Sequence, residues 1–359
     1  MRLFFYLPVI TPWWFDAIIA PMLIRLDADP GVAEIHVMVA PLWSNTGVEG
    51  QQLEPLIALG KLHWHIVDEG DPALFRLNAA AIPGLIETVA GIAPDLTLAR
   101  SSDFTTPAMF PGTVRYIMEG AAAPFVTNPA WVVLEEQPFS YGFVPEECDL
   151  PPELAERVDA LWHAAAGSIA GPSVSPSRPT LAVPLPYEHE ENLFLQHAAH
   201  GDGVTLLRSL LDRLPQDWRI EISDHPLNRL HVDRSALDAF VAQVPDRLSE
   251  VRVDTPAMVA QASAVFTDLS KTWTLAAFAG KPVLHAGQWA MAPWLRAARD
   301  MDELAAPDRD GARRWFGWHL AARLLRPDAV DLDLLLRHVG ERQNFEDMDA
   351  NLDALEVIA

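Results

Sequence analysis

Short apolar runs alternate with amphipathic stretches along the first third of the chain. Runs of about four to eight apolar residues predict buried strands, and apolar positions spaced about three or four apart predict helices between them. Strands that alternate with helices are typical of a parallel sheet covered by helices, so this part predicts a Rossmann-like domain. The predicted strands are Leu3–Ile10, Ala33–Ala40, His63–Val67 and Leu96–Ala99, and the predicted helices are Trp13–Leu26, Gln51–Leu59 and Ile82–Ala90.

The same alternation restarts in the second half, after a helix predicted at Glu153–Ala166 and a break at Gly171–Pro179. The break has three prolines and three serines in nine residues, which predicts a linker. The predicted fold class is therefore α/β, with two Rossmann-like domains (1–172 and 173–359) that face a cleft. The second set of strands is Leu181–Leu185, Arg219–Ile222, Ala264–Phe266 and Pro282–His285, and its helices are Val204–Leu214, Ser235–Val244 and Thr272–Ala279.

Charge and cysteine content exclude several classes of protein. Among 359 residues, 49 are Asp or Glu and 26 are Lys or Arg, so the formal net charge is −23. Such a surface repels phosphate backbones and anionic membranes, which argues against nucleic-acid binding. The single Cys148 excludes an intrachain disulfide and a multi-cysteine metal site, and it fits a reducing cytoplasm. Pro8 and Pro12 interrupt the apolar N-terminus, and no apolar run reaches about 18 residues, so we expect a cytoplasmic protein without a transmembrane segment.

No metal site is predicted from the sequence. His63 and His65 alternate on one predicted strand and therefore face the same side, but no carboxylate pattern accompanies them. The nucleotide-binding motif Walker A, the zinc motif HExxH and the nucleophile motif Gly-x-Ser-x-Gly are also missing from the sequence.

His225 is the first candidate for a ligand contact. The segment Asp224-His225-Pro226 directly follows the predicted strand Arg219–Ile222. Because Pro226 disfavours helical backbone at the preceding residue, we expect the imidazole to project from the carboxyl end of the strand, where ligands bind. An imidazole at that place can donate to a phosphate or act as an acid or base. The dipeptide alone leaves open a turn histidine that only caps local backbone.

A second candidate is the start of the helix Thr272–Ala279, which the segment Phe266–Thr272 joins to the short strand Ala264–Phe266. Ser270, Lys271 and Thr272 lie at this helix start. Ser270 is predicted as the N-cap. The first amides of a helix have no internal acceptors and its dipole is positive there, so two hydroxyls and a lysine predict a phosphate site. The alternative is an ordinary capped helix with an exposed lysine.

Two glutamates are candidates for the chemical step. Glu119 follows the predicted strand Thr113–Ile117, and the adjacent Gly120 allows a ligand to approach closely. Glu190 lies in an acidic run behind the strand Leu181–Leu185, just after the linker. Carboxylates that face each other across a cleft suit glycosyl transfer, since one can act on the oxocarbenium-like centre while the other moves a proton. The alternative is a solvated acidic loop.

Six short segments between about Arg115 and Leu284 occur in an order found in one known family. The order resembles that of the bacterial capsule and lipopolysaccharide β-Kdo transferases, which are GT-B glycosyltransferases that use CMP-Kdo. The His-Pro pair is also shared with bacterial sialyltransferases, a second group of CMP-sugar enzymes. The segments are Met118-Glu119-Gly120, Val183-Pro184-Leu185-Pro186, Leu214-Pro215-Gln216-Asp217-Trp218-Arg219-Ile220, His225-Pro226, Thr267-Asp268-Leu269-Ser270 and Gly280-Lys281-Pro282-Val283.

The resemblance implies a GT-B fold in which the first domain faces the acceptor and the second, with the C-terminal helices, binds the nucleotide. It implies that His225, next to Pro226, contacts the donor phosphate. The helix start with Ser270, Lys271 and Thr272 would bind the nucleotide as well.

The resemblance also implies roles for the two glutamates. Glu119 matches the family's acid before glycine and would be the general acid/base. The family's glutamine and aspartate after the linker strand stand here as Pro186 and Glu190. Glu190 would be the nucleophile of a retaining reaction, although its side chain is longer than the aspartate usual at that place.

The function implied is transfer of an acidic sugar, Kdo in the first instance, from a CMP-activated donor to a bacterial glycan or glycolipid acceptor. Protein donors would neutralise the leaving phosphate, so neither a metal nor another cofactor is expected. Membrane association would be peripheral and through other proteins. Two alternatives stay open: a CDP-polyol phosphotransferase of the wall-polymer type, which the Thr267–Ser270 and His-Pro segments also resemble, and a non-catalytic glycan-binding relative.

Overall fold

The structure is a computed structural model that describes residues 1–42, 47–68, 75–76, 78–139, 141–145, 150–169, 178–189, 192–251, 254–340 and 345–356. The chain forms two compact units, of which the first is Met1–Phe139 with His319–Ala359 and the second is Ser140–Trp318. Each unit contains one β-sheet and its own hydrophobic core. The predicted α/β fold class with two Rossmann-like domains is confirmed.

The sheet of the first unit has the strand order β3-β2-β1-β4-β5-β6. Its first five strands in this order are parallel, and β6 runs antiparallel to β5. The sequence pattern did not predict β6. The central β1 is fully buried from Leu3 to Leu7 because helices cover both faces of such a sheet. The strands are β1 Arg2–Leu7, β2 Glu34–Val39, β3 Leu62–Ile66, β4 Leu96–Ala99, β5 Thr113–Glu119 and β6 Val132–Glu135.

The sheet of the second unit has the order β11-β10-β7-β8-β9 and is parallel throughout. Since β10 and β8 flank β7, the carboxyl ends of these three strands meet at one edge of the sheet. The short edge strand β9 was also missed by the sequence pattern. The strands are β7 Thr180–Pro184, β8 Arg219–Ser223, β9 Leu248–Glu250, β10 Ala264–Thr267 and β11 Val283–His285.

The helices agree closely with the pattern of apolar positions. The predicted helix Trp13–Leu26 is one helical stretch in which α1 continues through a π-helical turn at Phe15–Ile19 into α2. The Thr11 hydroxyl accepts a hydrogen bond from the Trp14 amide, and Pro12 lies in the first turn as predicted. The α-helices are α1 Pro12–Trp14, α2 Ala20–Ala28, α3 Gly50–Leu53, α4 Leu85–Ile92, α5 Thr106–Met109, α6 Pro152–Ile169, α7 Gly203–Arg213, α8 Asn228–His231, α9 Ser235–Gln243, α10 Thr255–Gln261, α11 Thr272–Ala279, α12 Arg309–Trp318, α13 Leu332–Val339 and α14 Phe345–Glu356. Short 3₁₀ turns lie at Glu54–Leu56, Ala79–Ala81, Leu193–His197, Pro293–Leu295 and Met301–Glu303, and a second π-helical turn lies at His319–Arg323.

The two units differ from the domain bounds 1–172 and 173–359 in two places. Helix α6 belongs to the second unit, where Trp162 packs against Phe278 and Phe316. The C-terminal helices α13 and α14 belong to the first unit, because Leu335 joins its core and the Asn351 amide donates to two carbonyls of the turn at Leu320–Leu324. Of the predicted linker, residues 171–177 lie outside the described residues.

Candidate functional site

The carboxyl edge of the second sheet gathers most of the residues that the sequence singles out. Tyr187 follows β7, His225 follows β8 and Ser270 follows β10, and these three strands are neighbours. Parallel strands place their carboxyl ends at one edge, where ligands bind in this class of sheet. The structure therefore brings the His-Pro segment and the helix start to the same edge of one unit.

Three buried charged side chains connect the first two of these loops. The Arg234 guanidinium donates to both carboxylate oxygens of Asp224, with distances of 3.0 Å to Oδ2 and 2.8 Å to Oδ1. It also donates to Glu188, at 2.7 Å to Oε2 and 3.5 Å to Oε1. The exposed fractions of the Arg234, Asp224 and Glu188 side chains are 6%, 3% and 9%. We refer to these three residues as the Arg234 cluster.

Asn228 reinforces the same connection. Its side-chain amide donates to the Pro186 carbonyl at 2.9 Å and to Asp224 Oδ1 at 2.7 Å. Its Oδ1 accepts the Glu188 backbone amide at 2.8 Å. Because Asn228 is fully buried, these bonds are protected from water and hold the loop after β7 against the loop after β8.

Gly203, at the start of α7, also lies against the Arg234 cluster. A Cβ atom at this position would lie 2.7 Å from Glu188 Oε1, so a side chain cannot be added without displacing the carboxylate. The Glu188 carboxylate thus lies close to a helix start, where the dipole favours a negative charge.

The imidazole of His225 is stacked on an aromatic ring. Tyr187 lies between two histidines, with ring centroids 5.2 Å from His225 at 26° and 5.5 Å from His189 at 16°. The Leu227 amide donates to His225 Nδ1 at 3.3 Å, so a neutral ring carries its hydrogen on Nε2. Burial lowers the pKa of His225, and the nearby Asp224 carboxylate partly opposes that shift. The neutral tautomer with an Nε2 donor is therefore favoured near pH 7, while Pro226 beside it is exposed.

An open cavity lies at the same edge of the sheet, between the end of β7, the start of α7 and the loop after β10. It encloses about 440 Å³ of empty space, part of which is open solvent. Ser270 lines this cavity, and His225 lies on the adjacent loop. The lining residues are Pro184, Pro186, Leu195, Ala198, His200, Asp202, Gly203, Leu206, Phe266, Asp268, Leu269 and Ser270.

The start of α11 differs from the predicted cap by one residue. Lys271 occupies the N-cap position and makes no side-chain capping bond, so the prediction that Ser270 is the N-cap is wrong. Ser270 still serves the helix start, because its Oγ accepts the Thr272 amide at 3.2 Å. Its carbonyl accepts the Thr267 hydroxyl at 2.8 Å, which closes the turn tightly. Thr272 is buried, and Lys271 is half-buried.

Asp268 is a residue of this edge to which sequence reasoning gave no role. Its Oδ2 accepts the Ala199 amide at 2.6 Å, and its carbonyl accepts the Tyr141 hydroxyl at 2.7 Å. Burial raises the pKa of Asp268, while the hydrogen bond from Ala199 opposes that effect. Asp268 belongs to the sequence motif Thr267–Ser270, but nothing in that motif predicts a hydrogen bond between the Asp268 carboxylate and the Ala199 amide.

The two predicted catalytic glutamates have different outcomes. Glu119 ends β5 at the carboxyl edge of the first sheet, and its Oε1 forms an ion pair with Arg100 at 2.7 Å. Arg100 in turn lies 4.1 Å from the ring centroid of Trp14 and donates to the Ile117 carbonyl at 3.3 Å. Glu190 lies outside the described residues, so its pairing with Glu119 stays a prediction.

The histidines of β3 take part in a cluster that the sequence did not fully predict. His36 of β2 stacks on both His63 and His65, with ring centroids 4.8 and 5.2 Å apart. His36 Nδ1 lies 2.9 Å from His65 Nε2, which fits a hydrogen bond between neutral rings. Burial lowers the pKa of both of these histidines. Within the described ranges, no group of three or more His, Cys, Asp or Glu side chains has an arrangement that could hold a metal ion.

Comparison with known proteins gives structural matches only. The chain matches KpsC of Thermosulfurimonas dismutans, a beta Kdo 2,7 transferase, with a TM-score of 0.53, 13% identity and coverage of 100% of both chains. A second KpsC structure from that organism, a beta Kdo 2,4 transferase, has a TM-score of 0.45 and 10% identity over 88% of this chain and 97% of that one. The UDP-GlcNAc 2-epimerase of Neisseria meningitidis has a TM-score of 0.31 and 12% identity over 100% and 98% of the two chains.

No protein-family model and no curated protein matches the sequence. The comparison therefore establishes the fold, and it depends on the first of these structures. Among the residues with described structure, no helix has the length and apolar character needed to cross a bilayer.

Proposed function

We propose that the protein is a glycosyltransferase that moves an acidic sugar, Kdo in the first instance, from a CMP-activated donor to a bacterial surface glycan. The observation that carries the proposal is the edge of the second sheet, where His225 and Ser270 follow strands on either side of β7 beside an open cavity. Its lining is mostly apolar and carries the polar side chains of His200, Asp202, Asp268 and Ser270, which is typical of small-molecule sites. The fold shared with a beta Kdo 2,7 transferase and the sequence resemblance support the choice of donor.

The donor phosphate would be bound by this edge. The Nε2 hydrogen of His225 and the hydroxyl of Ser270 can donate to phosphate oxygens, and the helix start with Thr272 supplies a positive dipole. Lys271 would add a positive charge in a protein whose net charge is −23. Pro226 would hold the backbone of His225 extended. These donors stabilise the negative charge that develops as CMP departs, so the proposal includes no resident cofactor.

The sugar would be transferred in two displacements. A carboxylate oxygen of Glu190 attacks the anomeric carbon, the bond to the phosphate oxygen breaks, and CMP leaves with the bonding electrons. The acceptor hydroxyl then displaces Glu190 from the anomeric carbon and gives its proton to Glu119. Two inversions retain the configuration of the sugar. The Arg100 ion pair would keep the Glu119 carboxylate ionised and ready to accept that proton.

A thermal-shift series with CMP, CDP, UDP, GDP and dTDP tests the donor. CMP is expected to give the largest stabilisation, because a ligand at about 100 times its Kd adds about 2.7 kcal/mol to the free energy of unfolding. A preference for UDP or dTDP would contradict a CMP-sugar donor, and a preference for CDP would favour the polyol phosphotransferase. If no nucleotide stabilises the protein, the non-catalytic glycan-binding interpretation is favoured.

Placement in the cytoplasm stays a prediction from the sequence.

A further inference from the structure

We propose that Arg234 is a positioning residue that holds His225 in place for the donor phosphate. The inference rests on the proposed role of His225 in nucleotide binding. Arg234 lies nine residues after His225, at the start of α9, and it follows the short helix α8. Its guanidinium reaches back to Asp224, the residue directly before His225, and to Glu188, the residue directly after Tyr187.

The contacts of Arg234 join the two loops that carry the stacked rings of Tyr187 and His225. Asp224 belongs to the loop that presents His225, and Glu188 belongs to the loop that presents Tyr187. Together with Asn228, the guanidinium therefore holds the two loops together and, with them, the rings of Tyr187 and His225, whose centroids lie 5.2 Å apart. Only arginine has the planar fork that can serve two carboxylates at once, so lysine is not an equivalent residue at this position.

The position of the Arg234 cluster argues that it serves the site and not only the fold. A buried ion cluster is often no more stabilising than apolar side chains of similar size, so a core alone does not require one. This cluster lies at the carboxyl edge of the sheet, beside the cavity that Pro186 and Gly203 line. Asn228, three residues after His225, bonds Asp224 and the Pro186 carbonyl, so the chain is held on both sides of His225.

The test compares CMP affinity, measured by calorimetry, in Arg234→Lys and Arg213→Lys. The Arg234→Lys variant keeps the buried charge but cannot hydrogen-bond Asp224 and Glu188 at once. We expect its affinity to fall roughly 10-fold, by analogy with residues that orient metal ligands. Arg213→Lys is the matched control, because Arg213 pairs with Asp300 at 3.1 Å and ends the 11-residue helix α7, whose opposite end lies beside Glu188. Its replacement is expected to leave CMP affinity unchanged. Equal affinity in wild type and Arg234→Lys would overturn the inference.

A double-mutant cycle with His225→Ala separates positioning from general destabilisation. If Arg234 acts through His225, Arg234→Lys costs affinity in the wild-type background and almost none in the His225→Ala background. A role confined to folding predicts the same loss in both backgrounds, and this additive result would overturn the inference. If Arg234→Lys does not fold, Glu188→Gln removes the other end of the same connection and is expected to show the same coupling.

Chemical modification of His225 gives a readout that does not depend on nucleotide binding. His225 is half-buried against Tyr187, so diethylpyrocarbonate should modify it slowly in the wild type and several-fold faster in Arg234→Lys, as followed by peptide mass spectrometry. The exposed His163 of α6 serves as the internal reference. If the wild type binds no cytidine nucleotide, the proposed function fails. The modification rates of His225 alone then test whether Arg234 positions His225. An unchanged rate at His225 would then overturn the positioning role.

Discussion

Replacement of Glu119 by glutamine is expected to lower sugar transfer about 10²- to 10⁴-fold, the usual contribution of a placed general base. Glutamine has nearly the same shape but cannot take the proton of the acceptor hydroxyl. CMP affinity should stay within a factor of about two, because Glu119 belongs to the first sheet whereas the proposed phosphate contacts belong to the second. The measurement is the initial rate of transfer from CMP-Kdo to a glycan acceptor, together with CMP affinity.

Glu135→Gln is the matched control for this experiment. Glu135 ends the neighbouring strand β6 and pairs with Arg323 at 2.7 Å, the same distance as that between Glu119 and Arg100. Both arginines also donate to a strand carbonyl, at 3.1 Å for Arg323 and 3.3 Å for Arg100. The two variants therefore lose comparable ion pairs in the same unit. If Glu119→Gln and Glu135→Gln lower the rate of sugar transfer to a similar extent, Glu119 contributes to the fold and not to the reaction.

Glu190→Gln extends the prediction to the second carboxylate. If Glu190 forms the covalent intermediate and Glu119 resolves it, each single replacement should remove most of the activity and the double replacement should cost little more. In Glu119→Gln, the sugar adduct on Glu190 should persist and raise the intact mass of the protein. Additive losses, or an adduct on a different residue, would contradict the two-step mechanism.

The strand ends could be predicted from the sequence because each depends on a local pattern. An apolar run followed by a polar segment such as Asp224-His225-Pro226 indicates both the strand and the point at which it ends. Strands β6 and β9 were missed for different reasons. Strand β6 follows β5 with no described helix between them and runs antiparallel to it, so the alternation of strands and helices does not predict it. In β9 only Leu248 is buried, so no apolar run marks the strand.

The partners of the site residues could not be predicted, because they come together only in the folded chain. Arg234 and Glu188 are 46 residues apart, and Arg100 and Glu119 are 19 apart. Glu188 is an example of a residue whose partner could not be predicted from the sequence. Its acidic segment suggests a solvated loop, yet its side chain is 9% exposed and pairs with an arginine of another loop. Position along the chain does not distinguish it from Glu190.

His225→Ala is expected to weaken CMP binding as well as transfer. A hydrogen bond from the imidazole to a phosphate is worth about 1.5–3 kcal/mol, which corresponds to a loss of roughly 10- to 150-fold in affinity. His231→Ala is the control, because His231 contacts the edge of the same Tyr187 ring, with centroids 6.5 Å apart, and is not proposed to touch phosphate. Unchanged CMP affinity in a folded His225→Ala protein would leave His225 as a turn residue that caps the local backbone.

The pH dependence of CMP affinity tests whether the His225 imidazole contacts the phosphate directly. Burial holds the pKa of free His225 below its ordinary value, so the ring is neutral near pH 7. A bound phosphate stabilises the imidazolium and raises that pKa, so CMP binding takes up a proton. Wild-type affinity relative to His225→Gln should therefore increase as the pH falls from about 7.5 toward 6. Glutamine keeps a neutral donor, and the titration of CMP itself cancels in the ratio. Parallel pH profiles for the two proteins would exclude His225 as a direct contact of the phosphate.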